Sequence, residues 1–318
     1  MIWAERSGVG TSLDGDERPA RGQGVRMKRW SAIGVCALLL FSLPIGASPA
    51  AGAQGTSTQR VARARVKILL FGDSVALTLG WPLNQKSLST TYGYSFKDLG
   101  ILGCGVVMGP YVTADGQTEP SQPPCNGSAP APGTPFKDQP WPVQWKAEMA
   151  EYQPNVVVLL AGRWEEVDRE FNGTWTNILD PAFAAYVRSQ LELASVLVTS
   201  TGANMVFLTA PCTDAGRQLD GAPWPENDPA RLMAYNQLVR QVAAEFPKTD
   251  SVLNLDSLVC PGGQFSPKFR HVTIRQPDGV HFTLTAGVAL APELMPPIVA
   301  SGRAQLNRMD RESDRRTT

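Results

Sequence analysis

Short apolar runs that stop at glycine-rich or polar turns recur between residues 66 and 255, with amphipathic stretches between them. Residues 66–71 read Val-Lys-Ile-Leu-Leu-Phe and end at Gly72-Asp73-Ser74. A run this short and apolar predicts a buried strand, of the kind covered on both faces in a parallel sheet. Residues 155–161 form the clearest such strand, and 205–209 and 252–255 repeat the pattern. Residues 95–100 alternate and predict a further strand. Between the strands, Phe183, Val187, Leu191, Ala194 and Val198 fall at helical spacing over 181–200, behind an Asp180-Pro181 start. Asp228-Pro229 opens a second helix through Leu232, Tyr235, Leu238, Val239 and Val242. Thr283 or Thr285 caps a last helix through Leu290 and Leu294, which Pro296-Pro297 should end. Strands alternating with helices predict an α/β fold around a parallel sheet. Residues 113–145, rich in Pro, Gly and polar residues, read as a long loop or insertion.

Composition narrows the class. Lys+Arg and Asp+Glu both number 29, so the net charge is zero and the basic footprint of a nucleic-acid binder is absent. The 43% of hydrophobic residues can build a sizeable core. No internal repeat is visible, and one domain over 66–300 fits better than two. Residues 301–318 are charged and apolar-poor, and predict a disordered tail.

Before the domain, Met27-Lys28-Arg29-Trp30 is basic, 31–46 is apolar and 47–54 is small-residue-rich. That order predicts a secretory signal peptide cleaved near residues 50–53. The apolar run is shorter than the roughly 18 residues read as a membrane span; a retained anchor is the alternative. Residues 1–26 are a patternless preface, so Met27 is the expected start and 1–53 an upstream segment plus signal. Residues 54–65 are a flexible lead-in. Cys36 lies in the apolar run after Val35, without the small residue a lipoprotein site needs. Export leaves Cys104, Cys125, Cys212 and Cys260, and hence two disulfides among three formal pairings. No C-x-x-C spacing points to a metal.

Three places carry candidate chemistry. Ser74 follows the first strand, where ligands of open α/β sheets bind; alone, the tripeptide reads equally as a turn with a cap. Asp278-Gly279-Val280-His281 precedes the last helix, and an Asp three residues before a His can fix the ring's tautomer and stabilise its imidazolium. Only two histidines are present, and His271, in Lys268-Phe269-Arg270-His271, reads as a surface residue. Gly162-Arg163-Trp164-Glu165 ends the strongest strand. Arg163 is either a cleft residue for an oxyanion or a partner of Glu165, Glu166 or Asp168 on a solvated face. Gly103 and Gly105 flank Cys104, either as an oxyanion turn or as loop-shaping residues.

Gly72-Asp73-Ser74, then Gly103/Gly105, Gly162-x-Trp164 and Asp278-x-x-His281, in that order, resemble the SGNH (GDSL-type) hydrolase superfamily. The likeness is greatest to the domains attached to acyltransferase-3 proteins, the peptidoglycan and O-antigen O-acetylases. It spans about residues 66–300. The resemblance implies a flavodoxin-like three-layer α/β/α sandwich. It also implies a cofactor-free Ser-His-Asp mechanism on acyl esters, with Ser74 as nucleophile, His281 as base and Asp278 orienting it. Its oxyanion donors would be the Ser74 N–H and a glycine of 103–105. The family's asparagine donor is Trp164 here, and Arg163 is the candidate substitute. A Gly-x-Ser-x-Gly elbow is absent.

These readings give a secreted serine esterase or O-acyltransferase acting on acyl, chiefly acetyl, esters of cell-envelope glycans. Its expected partners are an acylated glycan or small ester and a membrane acyltransferase. The rival is a non-catalytic glycan- or partner-binding module of the same fold. A structural wall protein would have no reason to hold the three residues. Cys104–Cys125 and Cys212–Cys260 are the expected disulfides, the first beside the oxyanion turn and the second across one sheet edge. Trp141, Trp145 and Trp164 are either a sugar platform or packing residues.

Overall fold

The computed structural model describes residues 64–114 and 116–317, all within the second of two units, Ala53–Thr318. The expected signal peptide, the Met27 start, Cys36 and nearly all of the lead-in lie outside the described residues.

Five strands form the central sheet: β1 (Val66–Gly72), β2 (Tyr94–Gly100), β3 (Val156–Leu160), β4 (Asn204–Leu208) and β5 (Asp250–Leu253). Their order is β2-β1-β3-β4-β5 and every pairing is parallel. This is the flavodoxin-like order, whose switch point lies between β1 and β3. The mixed α/β fold expected from the sequence is the fold found. Each expected strand appears, β5 beginning two residues earlier than its apolar run.

Parallel strands need crossovers, and five helices supply most of them: α1 (Ser74–Leu83), α2 (Trp141–Tyr152), α3 (Pro181–Thr199), α4 (Pro229–Glu245) and α5 (Leu284–Thr317). Alternate strand residues face opposite layers. Ile68 and Leu70 of β1 pack with α1 and α5 residues such as Leu79, Leu290 and Leu294. Leu69 and Phe71 face α2, α3 and α4, against Trp145, Val187 and Val239. Asp180 and Asp228 cap α3 and α4 as their sequences predict, Asp180 accepting from the Ala182 and Phe183 N–H groups and Asp228 from that of Ala230, each ahead of a proline.

Two segments differ from expectation. Residues 113–145 are not one loop. Tyr111–Ala114, Gln117–Pro120, Asp168–Phe171 and Thr174–Thr176 form a four-stranded antiparallel sheet, and α2 begins at Trp141. These strands are three or four residues long and largely polar, so they leave no apolar run. Second, α5 neither stops at Pro296-Pro297 nor gives way to a disordered tail. Pro292 and Pro296 are exposed and Pro297 half-buried, while Leu290, Ala291, Leu294, Met295 and Ile298 are buried. The lost helical hydrogen bonds therefore fall toward solvent. Beyond them, Gly302 lies against β1, where a Cβ would come 2.2 Å from Val66 Cγ1. Asn204 Nδ2 donates to the Ser301 carbonyl at 2.8 Å, and Asn155 Nδ2 donates to Gln305 Oε1 at 2.9 Å. Long and apolar enough by composition to cross a membrane, α5 spends its apolar face on the core.

Gln305 tests this docking. Gln305→Ala leaves a buried amide donor on Asn155 without an acceptor, and should cost about 1–3 kcal/mol in urea unfolding. A disordered tail would make the substitution silent.

Candidate active site

The end of β1 fixes the first chemical group. Gly72 has φ 146°, and a Cβ there would stand 1.8 Å from the Leu160 carbonyl oxygen. Only glycine allows the strand end to approach β3 so closely. Its carbonyl accepts from Ile101 N–H at 2.9 Å, and Asp73 N–H donates to Leu160 O at 3.3 Å. The chain then turns into α1. Asp73 Oδ1 accepts from the Val75 and Ala76 N–H groups at 2.8 and 3.4 Å, so Asp73 is the cap and Ser74 the first helical residue. As such, Ser74 has no intrahelical acceptor for its own N–H, which remains available as a donor.

The histidine loop is held separately. Asp278 Oδ2 lies 2.7 Å from His281 Nδ1, and Asp278 Oδ1 accepts from the Val280 and His281 N–H groups at 2.9 and 3.0 Å. Burial pushes the Asp278 carboxyl up, but the hydrogen bonds from His281 and the two amides outweigh it and hold it below the usual range. An ionised carboxylate only accepts, so Nδ1 carries the proton and Nε2 is the basic nitrogen. Nε2 is shut off from solvent and has no hydrogen-bond partner. Two residues not marked by the sequence clamp this loop. Arg275 donates to the Val280 and Cys212 carbonyls at 2.7 and 3.1 Å, and Gln276 Nε2 to Phe282 O at 2.8 Å.

One short chain of bonds joins the two pieces. Phe282 N–H donates to Thr78 Oγ1 at 3.2 Å, and Thr78 Oγ1 donates to the Ser74 carbonyl at 3.0 Å. The helix that Ser74 begins and the Asp278–His281 loop are thus joined through Thr78, with the Asp–His bond formed. His271 is exposed, as expected.

The Gly103–Gly105 turn follows β2. Cys104 is disulfide-bonded to Cys125, Cα–Cα 5.6 Å, and Cys212 to Cys260, 6.1 Å, the two expected pairings. Arg163 is buried and pairs with Glu226 at 3.5 Å, beside a cavity of about 10 Å³ shared with Asp73 and Val75, so it is not on a solvated face. Gly162 abuts β4: a Cβ would stand 2.2 Å from Ala210 Cβ. Trp164 packs on Val112, Ala114 and Val167. Trp141 and Trp145 are core residues, Trp145 stacked on Phe71 at 4.1 Å, so the three rings form no sugar platform.

Beneath Ser74 lies an acidic cluster. Asp73, Glu165 and Glu166 are buried, and each has an oxygen without a hydrogen-bond partner. Burial, with the neighbouring Glu165 charge, raises Asp73 to about 7, against the Val75 and Ala76 amides and Arg163. Burial also raises Glu165 and Glu166.

A family model described as "Protein of unknown function (DUF459)" matches residues 137–297. The chain belongs to this family. No curated protein matches it. Similar solved structures include a carbohydrate acetylesterase from Sinorhizobium meliloti, with 12% identity and TM-score 0.44, covering 74% of this chain and 99% of that one. A GDSL-like lipase from Bacteroides thetaiotaomicron has 13% identity and TM-score 0.44, with 77% and 96% covered. A catalytic mutant of an acetylxylan esterase from Geobacillus stearothermophilus has 14% identity and TM-score 0.41, with 74% and 94% covered. Likeness at these values says nothing of what a DUF459 protein acts on.

The raised Asp73 makes stability depend on pH with a definite sign. Its contribution is complete below the unfolded value of 3.8 and is lost as pH rises through about 7. Asp73→Asn keeps an acceptor for the Val75 and Ala76 amides but cannot ionise. Between pH 4.5 and 7 the native protein should lose stability relative to this variant, by up to about 1.4 kcal/mol per pH unit. Urea midpoints that run parallel would remove Asp73 as a proton-binding group of the fold.

Proposed function

We propose that this DUF459 protein is a serine esterase of the SGNH type, with Ser74, His281 and Asp278 as its triad. The observation that carries the reading is the Asp278–His281 pair, its 2.7 Å bond leaving a basic, solvent-shielded Nε2 on a loop bonded to the helix that Ser74 begins. In the proposed reaction His281 Nε2 removes the Ser74 proton as Oγ attacks the acyl carbonyl. Asp278 stabilises the imidazolium. The Ser74 and Gly105 N–H groups receive the oxyanion. Collapse expels the alcohol, which takes the proton from His281, and leaves Ser74 acylated. Water, activated by His281, then releases the acid and restores the hydroxyl.

The alcohol half is proposed to be polar. A cleft of about 330 Å³ is lined by Asp214, Arg217, Asn227, Asp228 and Gln264. Asp214 N–H donates to the Gly279 carbonyl at 3.0 Å, which ties the cleft wall to the triad loop. Such a lining suits the hydroxyls of an acylated glycan better than a lipid chain. Two disulfides fit an oxidising, extracytoplasmic compartment, where envelope glycans are met. Transfer to a sugar hydroxyl, with a membrane acyltransferase as acyl source, is the same chemistry with a different acceptor. It would show as acetylated sugar in place of free acetate.

A fluorophosphonate probe should label the native protein at Ser74 and leave Ser74→Ala unlabelled. Against p-nitrophenyl acetate, Ser74→Ala and His281→Ala should abolish turnover, and Asp278→Asn should leave a small residue of it. The Ser74/His281 double variant should be little worse than either single, because triad members act as a unit. Full activity in Ser74→Ala would remove Ser74 as the nucleophile, and a native protein that neither takes the probe nor turns over ester would turn the reading to a non-catalytic binding module.

A further inference from the structure

Glu165 is fully buried and takes no part in the proposed proton transfers. Its Oε1 accepts from two successive backbone amides, Val106 N–H at 2.7 Å and Val107 N–H at 3.2 Å. These amides directly follow Gly105. A Cβ on Gly105 would stand 2.1 Å from that same oxygen, so the carboxylate is packed hard against the turn. At its other end, Glu165 N–H donates to the Gly162 carbonyl at 3.0 Å, which fixes the residue to the end of β3.

The turn has two further holds. The Cys104–Cys125 disulfide pins one side, and Trp141 Nε1 donates to Val106 O at 2.8 Å on the other. Neither takes the Val106 and Val107 N–H groups. An apolar side chain could fill the space without the desolvation cost of a carboxylate, a cost that here is not offset by a close ion pair. Arg169, the cation that acts on Glu165, spends its guanidinium on the Trp164 and Cys125 carbonyls and on Ser121 Oγ. What an apolar side chain cannot supply is an acceptor shared by two adjacent amides.

We infer that Glu165 is a positioning residue: by holding the Val106 and Val107 N–H groups to the end of β3, it aims the Gly105 N–H at the oxyanion. The inference rests on the esterase reading proposed above. It also accounts for the acidic residue after Trp164 and for the glycine at 105.

The test measures kcat and KM for p-nitrophenyl acetate in Glu165→Ala, Glu165→Asp, Glu165→Gln and Asp250→Ala. Asp250 is buried at the opposite end of the sheet, where it accepts from Ser195, and it serves as a control for loss of a buried, hydrogen-bonded carboxylate away from the turn. Glu165→Ala should lower kcat about 10²-fold, the scale of losing one oxyanion donor, with KM little changed. Glu165→Asp, one methylene shorter, should move kcat the same way and serves if the alanine variant does not fold. Glu165→Gln keeps an acceptor oxygen and should restore most of the rate. Unchanged kcat in the alanine or aspartate variant, or an equal loss in Asp250→Ala, overturns the inference. Amide exchange by NMR separates this from failure of the esterase reading. If the native protein shows no Ser74-dependent turnover, that reading falls. Faster exchange at Val106 and Val107 in Glu165→Ala or Glu165→Asp would still show the grip, and unchanged exchange there would dismiss it.

Discussion

The contact between Gly72 and the Leu160 carbonyl sets the position of everything else at the site. A parallel sheet of order β2-β1-β3-β4-β5 leaves its crevice where the connections from β1 and β3 diverge to opposite faces. At that crevice β1 and β3 approach within a distance that excludes even a methyl group. The two strand ends are then bonded to each other, through Asp73 N–H and Leu160 O, and to the start of the β2 turn, through Gly72 O and Ile101 N–H. The helix that Ser74 begins, the Gly103–Gly105 turn and the Gly162 segment therefore issue from one rigid point. Their relative placement is a property of the sheet and needs no long loop to maintain it.

The acidic cluster below that point runs against the usual cost of burial. Three carboxylates taken out of water repel one another as well as losing their hydration. The buried cations nearby are engaged elsewhere: Arg163 with Glu226, Arg231 with Asp168 at 2.8 Å, and Arg169 with backbone carbonyls and Ser121. What two of the carboxylates do share is capture of backbone N–H groups, those of Val75 and Ala76 by Asp73 and those of Val106 and Val107 by Glu165. Each pair of amides belongs to a segment that would carry an oxyanion donor. The cluster is better understood as a set of anchors for backbone dipoles than as an ion-pair network.

How much was legible in the sequence follows from how each feature is encoded. The central strands are buried on both faces, so their residues form continuous apolar runs, and their positions can be read within one or two residues. The histidine pair could be read because the two residues are three apart and histidine is scarce. Glu165 could not, since its partners Val106 and Val107 lie nearly sixty positions away and a Glu beside a Trp has no spacing signature. Arg163 was ambiguous because its partner, Glu226, is also distant in sequence. The C-terminal helix was misread for a compositional reason: beyond Ile298 it docks through a glycine and through polar bonds of Ser301 and Gln305, with Leu306 only partly buried. The tryptophans of α2 were open between core and platform because an aromatic ring at a helix start fits both. Trp145 stacks on Phe71 and Trp141 packs against Trp145, which settles both for packing.

The two halves of the proposed site are held in different ways. The histidine side is over-determined: Asp278 makes three hydrogen bonds within its own loop, and Arg275, Gln276 and Asp214 bond that loop from outside. Ring orientation and tautomer are thereby fixed without substrate. The serine side is fixed only in its backbone, by the Asp73 cap and the Thr78 bridge. Its hydroxyl hangs on a single torsion, χ1, which neither anchor restrains. A turn of that torsion moves Oγ over a small arc while leaving every backbone donor where it is. In the acyl transfer proposed above, the freedom left in the site thus lies in the one group that must change its bonds, and the groups that would receive charge are the ones held still.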